Sequence, residues 1–371
     1  MRLQIVAQPS LVLLQGVVPS RRKTALNFGE AWEIAQRRGR QHRFADAIRI
    51  GKMLLEQAKT LDLPVDLKVR LNFFLGSQYA GLGDVQNAAS HVDAAFWLPG
   101  HKPKPHELND LLRLYRLAGQ TAKIPKALDR VFGPRPEQPA RNQIFVFALP
   151  KSAGSSVCHT IANTIGCGHL ASGFESPKMP YYAAALLGPE VARRAGVHRL
   201  IHQTHAMPWP ENFKILRETA QPKFLVNVRD PRAAVLSYYH MTENTNLHRL
   251  RMVLSVPTYN EMTPQQRFDK VVELVFPAFI DWLSGWTTYV DESDGLGMII
   301  SFEQFASDPE PLMQAASGFL TGDEKSPPTI YKTHYRKGSN DAPDPLLSDE
   351  RRQALFEQIP RALSDRFGWT A

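Results

Sequence analysis

A proline-rich stretch divides the chain into two parts with different hydrophobic patterns. Residues 132–142, FGPRPEQPARN, hold three prolines in a short run, and a helix cannot continue through them. Before this stretch apolar residues recur at helical spacing, and after it short apolar runs alternate with helical stretches. In a chain of 371 residues this change of pattern predicts two domains, over 1–133 and 142–371.

The first part of the chain is predicted to be all-α. Helical periodicity runs through residues 31–58, 67–98 and 108–131. Small residues follow the first two turns, and Ala47 and Ala88 stand 41 positions apart (88 − 47), against about 34 in a tetratricopeptide repeat. The region resembles degenerate tetratricopeptide-like (TPR-like) hairpins, with a poorly defined lead segment at 1–26. Binding of a protein partner, self-association and a purely structural role remain open for it.

The charge and the cysteine content limit the partners and the compartment. Lys plus Arg exceed Asp plus Glu by 44 − 36, and this net charge of +8 suits an anionic ligand without identifying it. Two cysteines, Cys158 and Cys167, are too few for a disulfide framework or a zinc site, so a reducing compartment is expected. The apolar N-terminal stretch is interrupted by Gln and Pro and falls short of a membrane span or a signal peptide. We therefore expect a cytoplasmic protein without a membrane span.

The second part is predicted to contain a parallel β-sheet with helices on both faces. Strand-like runs lie at 144–149, 199–204, 223–228 and 297–301, with helical sequence between them. Short apolar strands separated by helices are typical of an α/β domain whose sheet is buried on both faces. Ligands of such sheets bind beyond the carboxyl ends of the strands. The functional residues are therefore expected directly after these runs.

The first strand leads into a glycine- and serine-rich loop, PKSAGSSV at 150–157, which opens a helical stretch. Gly154 allows a tight turn, Lys151 adds a positive charge, and the N–H groups at the start of the helix favour an anion. The neighbouring residues add hydroxyl and backbone donors: Ser152, Ala153, Ser155 and Ser156. The lysine precedes the glycine, unlike in a Walker loop, and no strand end carries a recognisable magnesium-binding aspartate. A magnesium-dependent nucleotide hydrolase is therefore disfavoured.

This loop resembles the 5′-phosphosulfate loop of sulfotransferases that use 3′-phosphoadenosine 5′-phosphosulfate (PAPS). The stretch RDPRAAVLSYYH at 229–240 is similar to their 3′-phosphate motif, with Arg229 at a strand end and Ser237 eight residues on (237 − 229). The stretch YRKGSN resembles the segment that closes over the 3′-phosphate. The resemblance implies a P-loop-like sulfotransferase domain that binds PAPS through Lys151, Ser152, Ala153, Gly154, Ser155, Ser156, Arg229, Ser237, Arg336, Lys337 and Gly338.

The resemblance also implies a general base. Many cytosolic members carry Lys-Thr-His at the end of the second strand, and here Gln203 and His205 take the first and last of these positions. His205 keeps the position of the base, and Lys151 that of the catalytic cation, while Gln203 replaces a lysine. Glu175 stays an alternative base, as in Golgi-type members. Val157 stands where soluble members place a tryptophan against adenine, so the adenine contacts stay unassigned.

The predicted reaction is in-line transfer of a sulfuryl group from PAPS to an acceptor hydroxyl, with adenosine 3′,5′-bisphosphate (PAP) as the product and no metal ion. The acceptor stays open among a glycan, a small molecule, a lipid and a protein tyrosine, and nucleic acid is not an expected partner. Variable loops at 171–197 and 242–265 are predicted to form its pocket. The alternative is a nucleotide-binding scaffold without turnover.

Overall fold

The computed structural model describes residues 27–60, 63–132, 144–171, 174–175, 185–186, 200–210, 212–214, 223–322, 330–331 and 344–371. The helices before the proline-rich stretch are α1 (Phe28–Arg40), α2 (Phe44–Thr60), α3 (Val65–Leu82), α4 (Val85–Phe96), α5 (Pro105–Leu117) and α6 (Ile124–Phe132). The strands are β1 (Ile144–Ala148), β2 (Gly168–Ala171), β3 (Phe174–Glu175), β4 (Ala185–Leu186), β5 (Leu200–Thr204), β6 (Phe224–Val228) and β7 (Gly297–Ser301). The helices among and after the strands are α7 (Gly154–Ile165), α8 (Pro231–Asn244), α9 (Asn246–Ser255), α10 (Pro264–Glu292), α11 (Phe302–Ser307), α12 (Pro309–Thr321), α13 (Asp349–Phe356) and α14 (Arg361–Phe367).

The helices of the first domain pack each against the next, from α1 on α2 to α5 on α6. α3 and α4 approach closely at Gly76, where a Cβ atom would stand 2.6 Å from the Val92 side chain and 3.1 Å from the Ala88 carbonyl oxygen. Ala88 itself is fully buried. The predicted all-α character of this region is confirmed, whereas its TPR-like repeat stays a prediction. The lead segment and the predicted boundary at 133–142 lie outside the described residues.

The second domain is built on a sheet of strand order β2-β5-β1-β6-β7, in which all neighbouring strands are parallel. β1 lies in the centre, and its Phe145 is in register with His202 of β5 and Phe224 of β6. The predicted parallel sheet is confirmed, and the carboxyl ends of β5, β1 and β6 lie along one edge. The sequence pattern does not predict β2 or the antiparallel pair β3 and β4, because four residues in β2 and two each in β3 and β4 are too few to show a strand pattern.

Helices cover both faces of this sheet. Phe145 and Phe147 of β1 pack on one face with α8 and α10, whereas Val146 packs on the other face with α7, α11 and α12. This alternation is the period-two pattern of a strand that is buried on both sides. Among the described helices, none has the length and apolar character needed to cross a bilayer.

The two predicted domains share a packed interface. Leu250 of α9 is fully buried inside the core of the helical domain, and α9 lies against α3. Asn260 donates from Nδ2 to the carbonyl oxygen of Gly81 at 3.1 Å. On another side of the interface, α5 packs on β2 and β3. The helical domain therefore completes its core with a helix from the second domain.

A buried ion network orients α9 at this interface. Glu243, near the end of α8, accepts from Arg249 Nη2 at 2.8 Å, from Arg267 Nε at 3.0 Å and from Tyr259 Oη at 3.1 Å. Arg249 is 1% exposed, and burial raises the pKa of the Tyr259 phenol. Because charges this deep are stable only when they are paired and hydrogen-bonded, the network fixes the rotation of α9 about its axis.

Candidate functional site

The loop after β1 has a backbone conformation that is rare for its residues. Lys151 and Ala153 both lie in the left-handed region, with φ of 72° and 60°. Non-glycine residues there cost about 1–3 kcal/mol each and persist only where the surrounding structure holds them. Ser152 between them is fully buried, and its hydroxyl donates to the Leu149 carbonyl oxygen at 2.7 Å. Strain of this kind clusters at binding and catalytic sites.

Side chains at the end of β6 donate hydrogen bonds to carbonyl oxygens of this loop. Asn227 Nδ2 donates to the Ser152 carbonyl oxygen at 2.7 Å, and Arg229 Nη1 donates to that of Lys151 at 2.7 Å. The Leu149 N–H donates in return to the Asn227 carbonyl oxygen at 2.9 Å. Two side chains from the neighbouring strand therefore stabilise the peptide units next to the strained residues.

Helix α7 begins at Gly154, and only glycine fits there. A Cβ atom would stand 2.7 Å from the Cβ of Ala148 and 3.0 Å from Nε2 of Gln203. Among the described residues, no side chain caps this helix start, so its N–H groups and the positive end of its dipole face the loop. Ser155 is exposed and Ser156 is buried at the same end. The predicted loop residues thus form one turn, and their contacts with a ligand stay a prediction.

Arg229 lies at the sheet edge beside the loop. Its guanidinium stacks on the ring of Phe302 at 3.9 Å, and the residue is 8% exposed. Burial lowers the pKa of Arg229 to about 10 against the opposing charges of Glu303 and Asp230, so the side chain stays charged at neutral pH. Asp230 also caps α8 by accepting from the Arg232 N–H at 2.8 Å. A fixed cation therefore stands next to the strained loop.

The other residues of the predicted 3′-phosphate site lie only partly in the described structure. Ser237 is half-buried on α8, about two turns after the helix begins. Arg336, Lys337 and Gly338 lie outside the described residues. The assembly of these residues with Arg229 around a phosphate stays a prediction.

Gln203 of β5 stands where many cytosolic members of the family that the sequence resembles carry lysine, and its side chain is held in one orientation. Its side-chain oxygen accepts from Ser155 Oγ at 3.2 Å and from His169 Nε2 at 3.0 Å. The amide NH2 group is thereby turned toward Gly154, where α7 begins. Gln203 thus presents neutral donors, and no cation, at the start of the helix.

His169 of β2 orients Gln203 and is absent from the residues predicted for the site. Burial lowers the pKa of His169 to about 4, and the charge of His159 acts in the same direction. The ring is therefore neutral at physiological pH, with the Nε2 proton toward Gln203 and Nδ1 3.3 Å from His159 Nε2. Predicting the strand at 168–171 beside β5 would have placed His169 near Gln203. The sequence GHLA is too short for that strand to be predicted.

His205 follows β5, and a contact with the backbone of β1 fixes which ring nitrogen carries the proton. Nδ1 lies 2.6 Å from the Ala148 carbonyl oxygen, so Nδ1 carries the proton and Nε2 carries the lone pair. Burial lowers the pKa of His205 to about 4 despite the bond to Ala148, and the charges of Arg113 and Lys151 lower it further. The neutral ring is the form present at pH 7, as a base must be before it accepts a proton.

Two tryptophans fix the chain directly after His205. Trp282 and Trp286 of α10 are fully buried, and both indole N–H groups donate to the Ala206 carbonyl oxygen, at 2.9 and 2.8 Å. Asn212 Nδ2 donates to the next carbonyl oxygen, that of Met207, at 2.6 Å. The position of His205 therefore rests on core packing.

Glu175, the alternative base, has its backbone in β3, which packs against α5. Its side chain lies outside the described structure, so the choice between Glu175 and His205 stays a prediction. Within the described ranges, no three or more His, Cys, Asp or Glu side chains form a group that could hold a metal ion.

Val157 lies in the core. It is fully buried together with Cys158 and Ile161 against the sheet. The side chain at this position packs in the core, and the residues that would contact adenine stay unassigned. Burial raises the pKa of the Cys158 thiol well above its usual range, which is typical of an inert core cysteine.

A family profile described as "Sulfotransferase domain" matches residues 141–337, a range that contains the strained loop, His205 and Arg229. The crystal structure of mouse sulfotransferase SULT7A1 complexed with PAP is 17% identical, over 48% of this chain and 59% of that one, with a TM-score of 0.35. The crystal structure of a sulfotransferase from Alicyclobacillus acidocaldarius is 17% identical, over 62% of this chain and 98% of that one, with a TM-score of 0.39. This chain thus spans less than two thirds of the mouse protein. No curated protein matches the sequence.

Proposed function

The chain belongs to the sulfotransferase domain family, whose profile covers more than half of it, and we propose that it transfers the sulfuryl group of PAPS to an acceptor hydroxyl and releases PAP. The observation that carries this proposal is the convergence of three features at one sheet edge: the strained loop after β1, Arg229 after β6 and His205 after β5. They supply an anion-binding turn, a fixed cation and a neutral base. Binding of PAPS and transfer of its sulfuryl group to a hydroxyl together need these three.

The loop after β1 fits the 5′-phosphosulfate of PAPS. Gly154 lets the start of α7 lie against β1. The N–H groups at the start of the helix and the charge of Lys151 could then bind the same anion. Lys151 would neutralise the oxygen that bridges phosphorus and sulfur. Donors around the group would come from Ser152, Ala153, Gly154, Ser155 and Ser156. Burial and the charge of Arg229 lower the pKa of Lys151, and an anionic ligand would raise it again.

Arg229 would bind the 3′-phosphate, together with the hydroxyl of Ser237 and the segment that contains Arg336, Lys337 and Gly338. A guanidinium can serve a backbone carbonyl and a phosphate at once, because it carries five N–H donors in a fixed fork. Arg229 already donates to the Lys151 carbonyl oxygen at 2.7 Å. One side chain would thus link the 3′-phosphate to the loop that binds the other end of PAPS.

In the proposed reaction the acceptor oxygen forms a bond to sulfur while the bond from sulfur to the bridging phosphate oxygen breaks. The electron pair of the broken bond stays on the 5′-phosphate of PAP, beside Lys151, and the acceptor proton moves to Nε2 of His205. The negative charge of bound PAPS would raise the pKa of His205 from about 4 toward the range in which a general base works. Gln203 would donate from its amide to a sulfuryl oxygen.

Nucleotide binding tests the 3′-phosphate assignment. Calorimetric titration with PAP and with adenosine 5′-monophosphate, which lacks the 3′-phosphate, is expected to give an affinity at least about tenfold higher for PAP, since a charge-assisted hydrogen bond contributes about 1.5–3 kcal/mol. Arg229→Gln should remove most of this difference. Arg361→Gln on α14, where the side chain is 92% exposed, is the matched control. Equal affinity of the unaltered protein for the two nucleotides would refute the assignment.

Turnover decides between an enzyme and a nucleotide-binding scaffold. The full-length protein is incubated in EDTA with sulfur-labelled PAPS and a mixture of glycans, phenols and tyrosine peptides. Release of PAP that depends on an acceptor supports the proposal. Binding of PAP without such release favours the scaffold, and activity that requires magnesium contradicts transfer without a metal ion.

A further inference from the structure

The helix that follows Arg229 begins with a buried ion pair that the proposed reaction does not use. Arg232 of α8 binds the carboxylate of Asp230 through two nitrogens. Its Nη2 lies 2.7 Å from Oδ2, and its Nε lies 3.1 Å from Oδ1 and 3.2 Å from Oδ2. Asp230 is 8% exposed and Arg232 is 7% exposed. The pair directly follows Arg229, the residue proposed to bind the 3′-phosphate.

Asp230 also has a local role in the fold, and this role needs no charge. Its Oδ1 accepts from the Arg232 N–H at 2.8 Å and so caps the start of α8. Asparagine and serine fill such a cap position as well as aspartate does. The negative charge of Asp230 is therefore not explained by capping, and its consequences for a ligand have to be considered separately.

The carboxylate of Asp230 lies where it would oppose the binding of an anion. Burial lowers the pKa of Arg229, and the charges of Glu303 and Asp230 oppose that effect, so the Asp230 carboxylate acts on the Arg229 guanidinium. The two residues are adjacent, with Cα atoms about 3.8 Å apart, and salt screens charges only over about 10 Å. An unpaired carboxylate here would repel a phosphate and would compete with it for Arg229.

Contacts with the C-terminal residues hold Arg232 in its orientation toward Asp230. Its Nη2 also donates to the Thr370 carbonyl oxygen at 2.6 Å, and its guanidinium lies over the ring of Phe356 at 5.0 Å. Arg229, in contrast, donates to the Lys151 carbonyl oxygen in the strained loop. The two arginines at the start of α8 thus contact different parts of the molecule, and Arg232 contacts the carboxylate.

We propose that Arg232 determines the selectivity for the 3′-phosphate by neutralising the carboxylate of Asp230, so that the phosphate meets Arg229 without an unpaired negative charge beside it. The inference rests on the proposed function, because it takes the 3′-phosphate to bind at Arg229. Arg232 is a positioning residue in this arrangement, since it acts on the nucleotide through Asp230. The pair lets α8 keep a charged cap next to a site for an anion.

Two nucleotides test the proposal by calorimetry on the full-length protein: PAP, and adenosine 5′-monophosphate, which lacks the 3′-phosphate. Arg232→Gln leaves the Asp230 carboxylate without its counter-charge. We expect the affinity for PAP to fall at least about tenfold and that for adenosine 5′-monophosphate to stay within about twofold. The measured quantity is the ratio of the two affinities. A purely structural role of Arg232 would weaken both nucleotides alike and leave this ratio unchanged.

Substitution of Asp230 separates the charge from the shape of the site. Asp230→Asn keeps an oxygen that can cap α8. Combined with Arg232→Gln, it removes the unpaired charge and should restore the affinity ratio to within about threefold of the unaltered protein. Alone, it leaves the charge of Arg232 unopposed by this carboxylate and should raise the ratio at least about threefold. This gain should shrink with added salt.

A second bidentate pair in the same domain supplies the control. Arg366 of α14 binds Asp291 through both terminal nitrogens, at 2.6 and 2.9 Å, and the side chains are 36% and 56% exposed. Arg366→Gln removes an arginine from an arginine–aspartate pair, as Arg232→Gln does, but outside the proposed site. It should change the affinity for either nucleotide by less than about twofold.

The outcomes are distinguishable. If the unaltered protein prefers PAP and Arg232→Gln keeps the ratio, the inference is wrong and the proposed function stands. A lowered ratio that the double variant does not restore would also overturn the inference. If urea unfolding shows that Arg232→Gln does not fold, Asp230→Asn alone decides, and a ratio that is unchanged or lowered refutes the inference. If the unaltered protein does not prefer PAP, the assignment of the 3′-phosphate fails and this inference fails with it.

Discussion

The two strands that flank β1 contribute to the site in different ways. On the β6 side, Asn227 and Arg229 hold the backbone of the strained loop, and Arg229 stays charged at neutral pH. On the β5 side, Gln203 and His205 are neutral at pH 7, and the neutral His169 orients the first of them. Under the proposed function, the site separates a fixed cation for the 3′-phosphate from neutral groups for proton transfer and for donation without charge.

The largest effect is expected for His205, the proposed base. His205→Gln keeps a donor for the Ala148 carbonyl oxygen and removes the proton acceptor, so kcat should fall about 10²–10⁴-fold with PAP affinity unchanged. Steady-state kinetics and calorimetry measure the two quantities. His91→Gln on α4, distant in the helical domain, is the control. An unchanged kcat in His205→Gln, together with a large loss of kcat in Glu175→Gln, would identify Glu175 as the base.

The next effect concerns the charged side. Arg229→Lys keeps the charge but loses the planar fork that serves the Lys151 carbonyl oxygen and stacks on Phe302. Affinity for PAP should fall about 10–100-fold, while kcat at saturating PAPS changes less. Arg361→Lys is the matched control on an exposed helix. A loss of kcat as large as the loss of affinity would mean that Arg229 acts in the chemical step, which contradicts the separation of roles.

A smaller effect is expected for the neutral donor and the residue that positions it. Gln203→Leu should lower kcat/KM about tenfold, since one hydrogen bond to a charged group is lost. His169→Ala should lower it less, because Gln203 then loses only its orientation. In the double variant the two effects should not add, since His169 acts through Gln203. Additive losses would show that His169 has a separate role.

The pH profiles sharpen the comparison further. His205 in the free protein has a pKa of about 4, so kcat/KM for PAPS should stay flat as pH falls to about 5. Under the proposed function, bound PAPS would add negative charge beside the ring and raise its pKa, so the acidic limb of kcat should lie at higher pH than that of kcat/KM. Coinciding limbs would contradict the placement of His205 beside the phosphosulfate.

The smallest effect is on stability. His169 and His205 have pKa values lowered to about 4 in the folded protein, while the unfolded chain binds protons near 6.5. Their contribution is therefore present above about pH 6.5 and is lost as pH falls toward 4. The free energy of unfolding, measured in urea at pH 7 and pH 5, should drop by at least about 1 kcal/mol, and less in His169→Gln. No difference between this variant and the unaltered protein would contradict a neutral, buried His169.

The architecture could be predicted from the sequence because it depends on local signals. Prolines at 132–142 mark a break in helical periodicity, and apolar runs such as 144–149 mark buried strands. The loop at 150–157 is also recognisable, since a glycine between hydroxyl residues before a helix has few other uses. β2 escapes prediction because four residues with one long apolar side chain give no pattern.

The rest of the site depends on contacts between distant residues. The left-handed conformations of Lys151 and Ala153 follow no local rule, because bonds from Asn227 and Arg229 to the loop hold them. The influence of Arg113 on His205 joins residues 92 positions apart (205 − 113), in different domains. The spacing of residues in the sequence does not predict which distant residues come close together in the fold.

The position of Leu250 inside the core of the helical domain also bears on how the protein is made. The helical domain ends at Phe132, and Leu250 follows 118 residues later (250 − 132). At a synthesis rate of about 5–20 residues per second, the ribosome delivers Leu250 on the order of ten seconds after the last of these helices. During that interval the nascent domain exposes the apolar pocket that Leu250 later fills, a surface of the kind that chaperones protect. The domain that is synthesised first thus completes its packing only after nearly half of the second predicted domain (142–371) has been synthesised.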